Sequence, residues 1–176
     1  MNDKFTENAK AAISAATEIA YKLSHNYVGT EHLLIGLLEA DGVASKILEK
    51  NGVEKDKVIE LVNQLIAPNS FTEVLEVDGF TPRSKRILDQ SYKEAVRLKA
   101  QLVGTEHILI ALLKESDCIA VRLLNTLGIN IQKLYIDILT AIGADMGTAK
   151  NEYAANKNKS KSKSNTPTLD QYSRDL

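Results

Sequence analysis

Val28-Gly29-Thr30-Glu31-His32-Leu33-Leu34 returns as Val103-Gly104-Thr105-Glu106-His107-Ile108-Leu109, at an offset of 75 residues. One structural unit is therefore present twice, and a duplication fixes the architecture before any single motif is weighed. Outward from this stretch, Phe5-Thr6 returns as Phe80-Thr81, and Ala20, Lys22 and Leu23 return as Ala95, Arg97 and Leu98. After a one-residue slip, Asp41, Ala44, Lys46 and Leu48 align with Asp117, Ala120, Arg122 and Leu124, then Gly52-Val53 with Gly128-Ile129. Repeat 1 covers about 4–66, a linker 67–79, and repeat 2 about 80–143.

Apolar residues recur at helical spacing throughout both copies. In the first they run Phe5, Ala9, Ile13, Ala16, Ala20, Leu23; then Leu33, Leu34, Leu37, Leu38; then Val43, Ile47, Leu48; then Val58, Leu61, Val62, Leu65, Ile66. The second repeats the order, with helices near 81–99, 105–115, 117–127 and 130–142. The fold class is all-α, two pseudo-symmetric four-helix repeats. Thr6 and Thr81 stand where an N-cap belongs, Pro82 suits the first helical position, and Thr30 and Thr105 are read as caps of the second helices. Gly52 and Gly128 suit the left-handed position after a third helix. No alternating segment is long enough for a strand.

A repeated body of this length can bury a real core, and with aromatics at 5% and no Trp that core is aliphatic. No stretch approaches the eighteen or so apolar residues of a membrane span, and Met1-Asn2-Asp3-Lys4 opens no secretory segment, so a cytoplasmic location is expected. The single Cys118 excludes an intramolecular disulfide. Of the net charge of -1, the six Lys/Arg and four Asp/Glu from 143 onward contribute +2, leaving -3 for the body. That argues against nucleic acid as a partner. Residues 144–176 read as a flexible linker, with Lys157, Lys159, Lys161 and Lys163 in an Asn- and Ser-rich run.

The paired Val-Gly-Thr-Glu-His motifs, the paired Phe-Thr starts and the ending Thr166-Pro-Thr-Leu-Asp-Gln-Tyr-Ser-Arg-Asp-Leu176 resemble the N-terminal Clp repeat domain of ClpC-type AAA+ unfoldases. No Gly-x-x-x-x-Gly-Lys-Ser/Thr loop occurs, so this chain by itself is not expected to be an enzyme and needs no cofactor. The resemblance implies a longer protein, a hexameric ATPase using ATP and Mg that feeds unfolded polypeptide to the ClpP peptidase. The Lys- and Asn-rich tail with the Ile-rich repeats suits a low-GC Gram-positive bacterial source, and the isolated N-domain is expected to be monomeric. That domain would receive substrates and adaptors such as MecA and the arginine kinase McsB, and would bind phosphoarginine marks.

By that resemblance the phosphoarginine-binding residues are Thr6 with Glu31 for one site and Thr81 with Glu106 for the other; Lys10 and Lys85, one helical turn after each threonine, are placed to assist electrostatically. The chemistry suits the ligand. A threonine at a helix N-terminus offers a hydroxyl and unpaired backbone N–H groups to phosphate, and a carboxylate accepts guanidinium N–H bonds. Two sites on one domain allow bivalent capture. Tyr27 becomes Leu102 and Glu7 becomes Pro82 between the copies, so unequal affinity is expected.

Three other readings use the same residues. Capping chemistry alone selects a Thr-Glu pair at a helix start. A protein-interaction module docking adaptors through apolar surface would read no phosphoarginine. An enzyme reading recruits His25, His32 and His107 with Glu31, Glu106 and Cys118, but the repeat separates His32 from His107. Local hydrogen bonding under the helix start is the expectation for both histidines, and burial as a small hydrophobe for Cys118.

Overall fold

The computed structural model describes residues 4–66 and 79–143, so all of the expected linker except Gly79, and the segment from 144 onward, lie outside the described residues. Among the described residues there are eight helices: α1 Glu7–Lys22, α2 Thr30–Glu39, α3 Val43–Lys50, α4 Lys55–Leu65, α5 Pro82–Arg97, α6 Thr105–Lys114, α7 Ile119–Thr126 and α8 Ile131–Ala141.

The second helix of each repeat is apolar on every side, which makes it a core helix rather than an amphipathic one. Every residue of α2 from Thr30 to Leu38 is buried, and in α6 all from Thr105 to Leu113 except Glu106. Helix α1 packs on α2 and α5 on α6, while α7 lies against α2 and α4, and α3 against α6 and α8. The third helices lie between the copies: α3 packs on both α2 and α6, and α7 on both α2 and α6. Fully buried Leu34, Ile35, Leu109, Ile110 and Leu112 fill the centre, each contributing about 1.5–3 kcal/mol.

The first helix pairs are not identical. Helix α1 presents Ala9, Ala12, Ala16 and Ala20 to α2, and a Cβ on Gly36 would run into the Ala12 carbonyl oxygen. Repeat 2 carries Ile87 and Ala111 at the corresponding positions, so its helices meet over a larger side chain.

The punctuation largely follows the sequence. Thr6 Oγ1 accepts from the Ala9 amide at 3.1 Å and Thr81 Oγ1 from the Ser84 amide at 3.1 Å, with Pro82 in the first turn. Gly52 and Gly128 take φ of 87° and 80° after α3 and α7. Ser24 and Lys99, also 75 residues apart, take φ of 61° and 62°, a left-handed stop that lets His25 N–H reach Ala20 and Ala100 N–H reach Ala95.

Thr30 and Thr105 do not cap their own helices, whose N-caps are Gly29 and Gly104. Thr30 Oγ1 accepts from the Ala120 amide at 3.2 Å, at the start of α7, and Thr105 Oγ1 from the Ala44 amide at 3.3 Å, at the start of α3. Neither Gly42 nor Cys118 supplies a side-chain cap to the helix it precedes, so the cap comes across the repeat boundary.

Candidate functional site

The N-termini of α1 and α5 are fixed by two short parallel bridges, Phe5 to Val103 and Val28 to Phe80. Thr6 N–H donates to the Val103 carbonyl at 2.9 Å and Val103 N–H to Lys4 at 2.7 Å. Thr81 N–H donates to the Val28 carbonyl at 3.0 Å and Val28 N–H to Gly79 at 2.9 Å. Each Phe-Thr start therefore lies beside the Val-Gly-Thr-Glu-His stretch of the other repeat.

This corrects the expected pairing. Gly36 meets α1 at Ala12 and Ala16, and α1 and α2 form an antiparallel hairpin. At 1.5 Å per residue, Thr6 and Glu31 lie about 20 Å apart along it. The bridges set Thr6 beside Val103, three residues before Glu106, and Thr81 beside Val28, three residues before Glu31.

The two carboxylates fold back in the same way. A Cβ on Gly29 would stand 2.5 Å from Glu31 Oε1, and one on Gly104 would collide with Glu106 Oε1. A side chain before the Thr-Glu-His triplet would therefore displace the carboxylate folded over the glycine. Below, the histidine reaches back: Gly29 N–H donates to His32 Nδ1 at 2.8 Å, and Gly104 N–H to His107 Nδ1 at 2.9 Å. Histidine at the third helical position supplies the half of a capping box usually given by Glu or Gln.

Surroundings differ. Glu31 is 0% exposed, and the Tyr27 hydroxyl donates to its Oε2 at 3.0 Å. Glu106 is partly exposed, and Leu102, in place of Tyr27, is 45% exposed. Thr81 is buried and its hydroxyl bonds Ser84 Oγ at 2.8 Å, whereas Thr6 is partly exposed and has Ala9 in place of Ser84. One composite site is open at both members and the other closed at both. Lys10 pairs with Glu7 at 3.1 Å, and Lys85 is partly buried one turn after Thr81.

A polar chain underlies the closed site. Because His32 Nδ1 accepts from Gly29, its proton sits on Nε2 and points to His25 Nδ1 at 2.8 Å. The His25 ring stacks on Tyr27 at 5.4 Å and 15°. Burial, with His25 adjacent, pushes the His32 pKa down to about 3, and burial also lowers His25 and His107. Burial and then the neighbouring Glu31 charge push the Tyr27 hydroxyl up, so it stays a donor. His107 lies with Gly104 in the other repeat, apart from the His25–His32 pair. Cys118 is buried, which raises its thiol pKa and keeps it protonated. Among the described residues no group of three or more His, Cys, Asp and Glu side chains is placed to hold a metal ion.

Residues 4–72 and 79–175 match the Clp repeat (R) N-terminal domain. The chain belongs to this family. It is 41% identical over 175 residues to the ATP-dependent Clp protease ATP-binding subunit ClpC of Staphylococcus aureus (strain USA300), and 38% identical over 177 residues to the negative regulator of genetic competence ClpC/MecB of Bacillus subtilis (strain 168). These alignments cover 98% and 100% of this chain but only 20% and 21% of the relatives. Among solved structures, the N-terminal domain of the chaperone ClpD from Arabidopsis thaliana superposes with a TM-score of 0.67 at 28% identity, covering 81% of this chain and 96% of that one. Among the described residues of this Clp repeat domain, no helix is long and apolar enough to cross a membrane.

The sequence reading missed the exchange of partners between repeats and the His32–His25–Tyr27–Glu31 chain. The second had a signal: His25 and Tyr27 face Ala100 and Leu102 at the duplicated positions, so both are departures from the repeat.

Proposed function

We propose that this domain is the recognition module of a ClpC-type unfoldase and that it binds phosphoarginine-marked proteins at two composite sites, Thr6 with Glu106 and Thr81 with Glu31. The observation that supports the reading is the Phe5–Val103 bridge, which joins the start of α1 to a residue three positions before Glu106 in the sequence. The first-turn N–H groups of α1 and the Thr6 hydroxyl suit a phosphate, favoured there by the helix dipole by about 0.3–1 kcal/mol. Glu106 suits the guanidinium-derived nitrogens, each charge-assisted bond contributing about 1.5–3 kcal/mol.

The longer protein would be a cytoplasmic hexameric ATPase using ATP and Mg and delivering substrates to ClpP, with McsB marking them and MecA among the adaptors. These roles rest on the family and on the ClpC relatives.

A second reading, adaptor docking without phosphoarginine, is favoured by Tyr21 and Val96, which occupy equivalent positions on α1 and α5 and are 84% and 57% exposed. Calorimetric titration with free phosphoarginine, arginine and phosphoserine separates the two. The recognition reading expects binding of phosphoarginine alone, weakened by Glu31→Ala and by Glu106→Ala and lost in the double variant. No preference for phosphoarginine leaves the docking reading.

A further inference from the structure

We infer that Tyr27 is a gate on the Thr81/Glu31 site, so that the two composite sites work as an open receptor and a latched one; the inference rests on the recognition reading proposed above. The Tyr27 hydroxyl donates to Glu31 Oε2 at 3.0 Å, in a place where the carboxylate is 0% exposed. A guanidinium that forks across both carboxylate oxygens competes with this hydroxyl for Oε2, and it reaches the buried Glu31 only if the side chains around it, Tyr27 among them, move.

The latch is held from behind. His25 stacks on the Tyr27 ring at 5.4 Å, His32 sits edge-on to it at 5.2 Å, and His32 is fixed in turn by the Gly29 amide. Thr81, the phosphate-side member, is closed as well, its hydroxyl bonded to Ser84 Oγ. The duplicated position provides an internal control: Ala100 and Leu102 replace His25 and Tyr27, Ser84 is replaced by Ala9, and there Glu106 and Thr6 are partly exposed. The difference between the sites thus resides in side chains that surround a shared backbone frame.

A guanidinium that opens the latch replaces a neutral hydroxyl donor by a charged one, which is the stronger partner for a carboxylate. Opening is therefore ligand-driven and needs both halves of the ligand, the guanidinium N–H groups at Glu31 and the phosphate at the Thr81 helix start. A peptide held at the Thr6/Glu106 site raises the local concentration of its next mark at the latched site, so multiply marked chains open it first.

The test is an NMR titration with free phosphoarginine, following the Gly29–His32 and Gly104–His107 amides separately in the natural protein, in Tyr27→Phe and in Tyr27→Leu. The Phe variant keeps the stacked ring and guards against misfolding in the Leu variant. In the natural protein the Gly104–His107 amides are expected to respond at concentrations about tenfold lower or more than Gly29–His32. In both variants the Gly29–His32 response moves toward the other by about fivefold or more, with the Gly104–His107 curve unchanged. Coincident curves in the natural protein, or a Gly29–His32 curve unmoved by both variants while Gly104–His107 responds, overturn the gate and leave the recognition reading standing. If neither set responds in any of the three proteins, the recognition reading falls and the gate with it.

Discussion

Thr30 Oγ1 accepts the amide hydrogen of Ala120, 90 residues away, and so caps a helix that belongs to the other repeat. Thr105 does the same for Ala44. These paired bonds join the copies at the repeated Val-Gly-Thr-Glu-His stretch. Neither repeat satisfies its own third helix, which gives a physical reason for the two to fold as one unit.

Replacing Thr30 or Thr105 by Val keeps the shape and removes the acceptor. Each change is expected to lower stability by about 0.5–2 kcal/mol in urea denaturation, the cost of a lost cap, while Thr→Ser retains most of it. Equal stability of the Val and Ser variants would show that the inter-repeat caps contribute nothing.

Gly36→Ala ought to stabilise an ordinary helix by about 1 kcal/mol. Here the new methyl meets the Ala12 carbonyl, so a loss of about 1–3 kcal/mol is expected from overpacking. Ala111→Gly, at the equivalent position in α6, is expected to cost about 1 kcal/mol through propensity, with a further loss from the vacated methyl. Thermal denaturation of the two variants checks the contrast, and a stabilised Gly36→Ala protein would refute the close approach of α1 and α2.

The pH dependence follows from the buried histidines. An unfolded histidine titrates near 6.5, whereas burial holds His32 down to about 3 in the folded chain. The unfolded state therefore binds the proton first as pH falls, and stability declines below about 6.5 until about 3. Between pH 7 and pH 5 His32 alone accounts for about 2 kcal/mol, with His25 and His107 acting in the same direction. Glu94, held below the usual carboxylate range by Lys114, Arg97 and Gln90 despite its burial, loses its contribution only below that window. Urea denaturation at the two pH values measures the slope; a flat profile would mean that the histidines are not buried neutral.

The eight helices were legible because the aliphatic residues recur at 3.6-residue spacing and because Thr6, Thr81, Pro82, Gly52 and Gly128 mark the ends with residue types that few other positions favour. The packing of the third helices on the central helices of both repeats was not legible. Periodicity says which face of α3 or α7 is buried, and it carries no information on whether the covering helix comes from the same copy. The pairing of Thr6 with Glu31 came from the family resemblance, and nothing in the periodicity could test it, whereas the Phe5–Val103 bridge sets Thr6 beside the other repeat. Thr30 and Thr105 looked like local caps because a threonine at a helix start satisfies local and distant amides with the same hydroxyl. The unequal character of the sites was visible in Tyr27 against Leu102, although its mechanism needed the hydroxyl's position over Glu31.

The central claim is that recognition sites form across the repeats, and the most direct measurement is a double-mutant cycle on phosphoarginine affinity. Thr6→Ala is combined with Glu106→Ala in one cycle and with Glu31→Ala in another. The expected result is a coupling energy of about 0.5 kcal/mol or more between Thr6 and Glu106, and additivity within about 0.3–0.5 kcal/mol between Thr6 and Glu31. Coupling between Thr6 and Glu31, with additivity between Thr6 and Glu106, would contradict the composite sites.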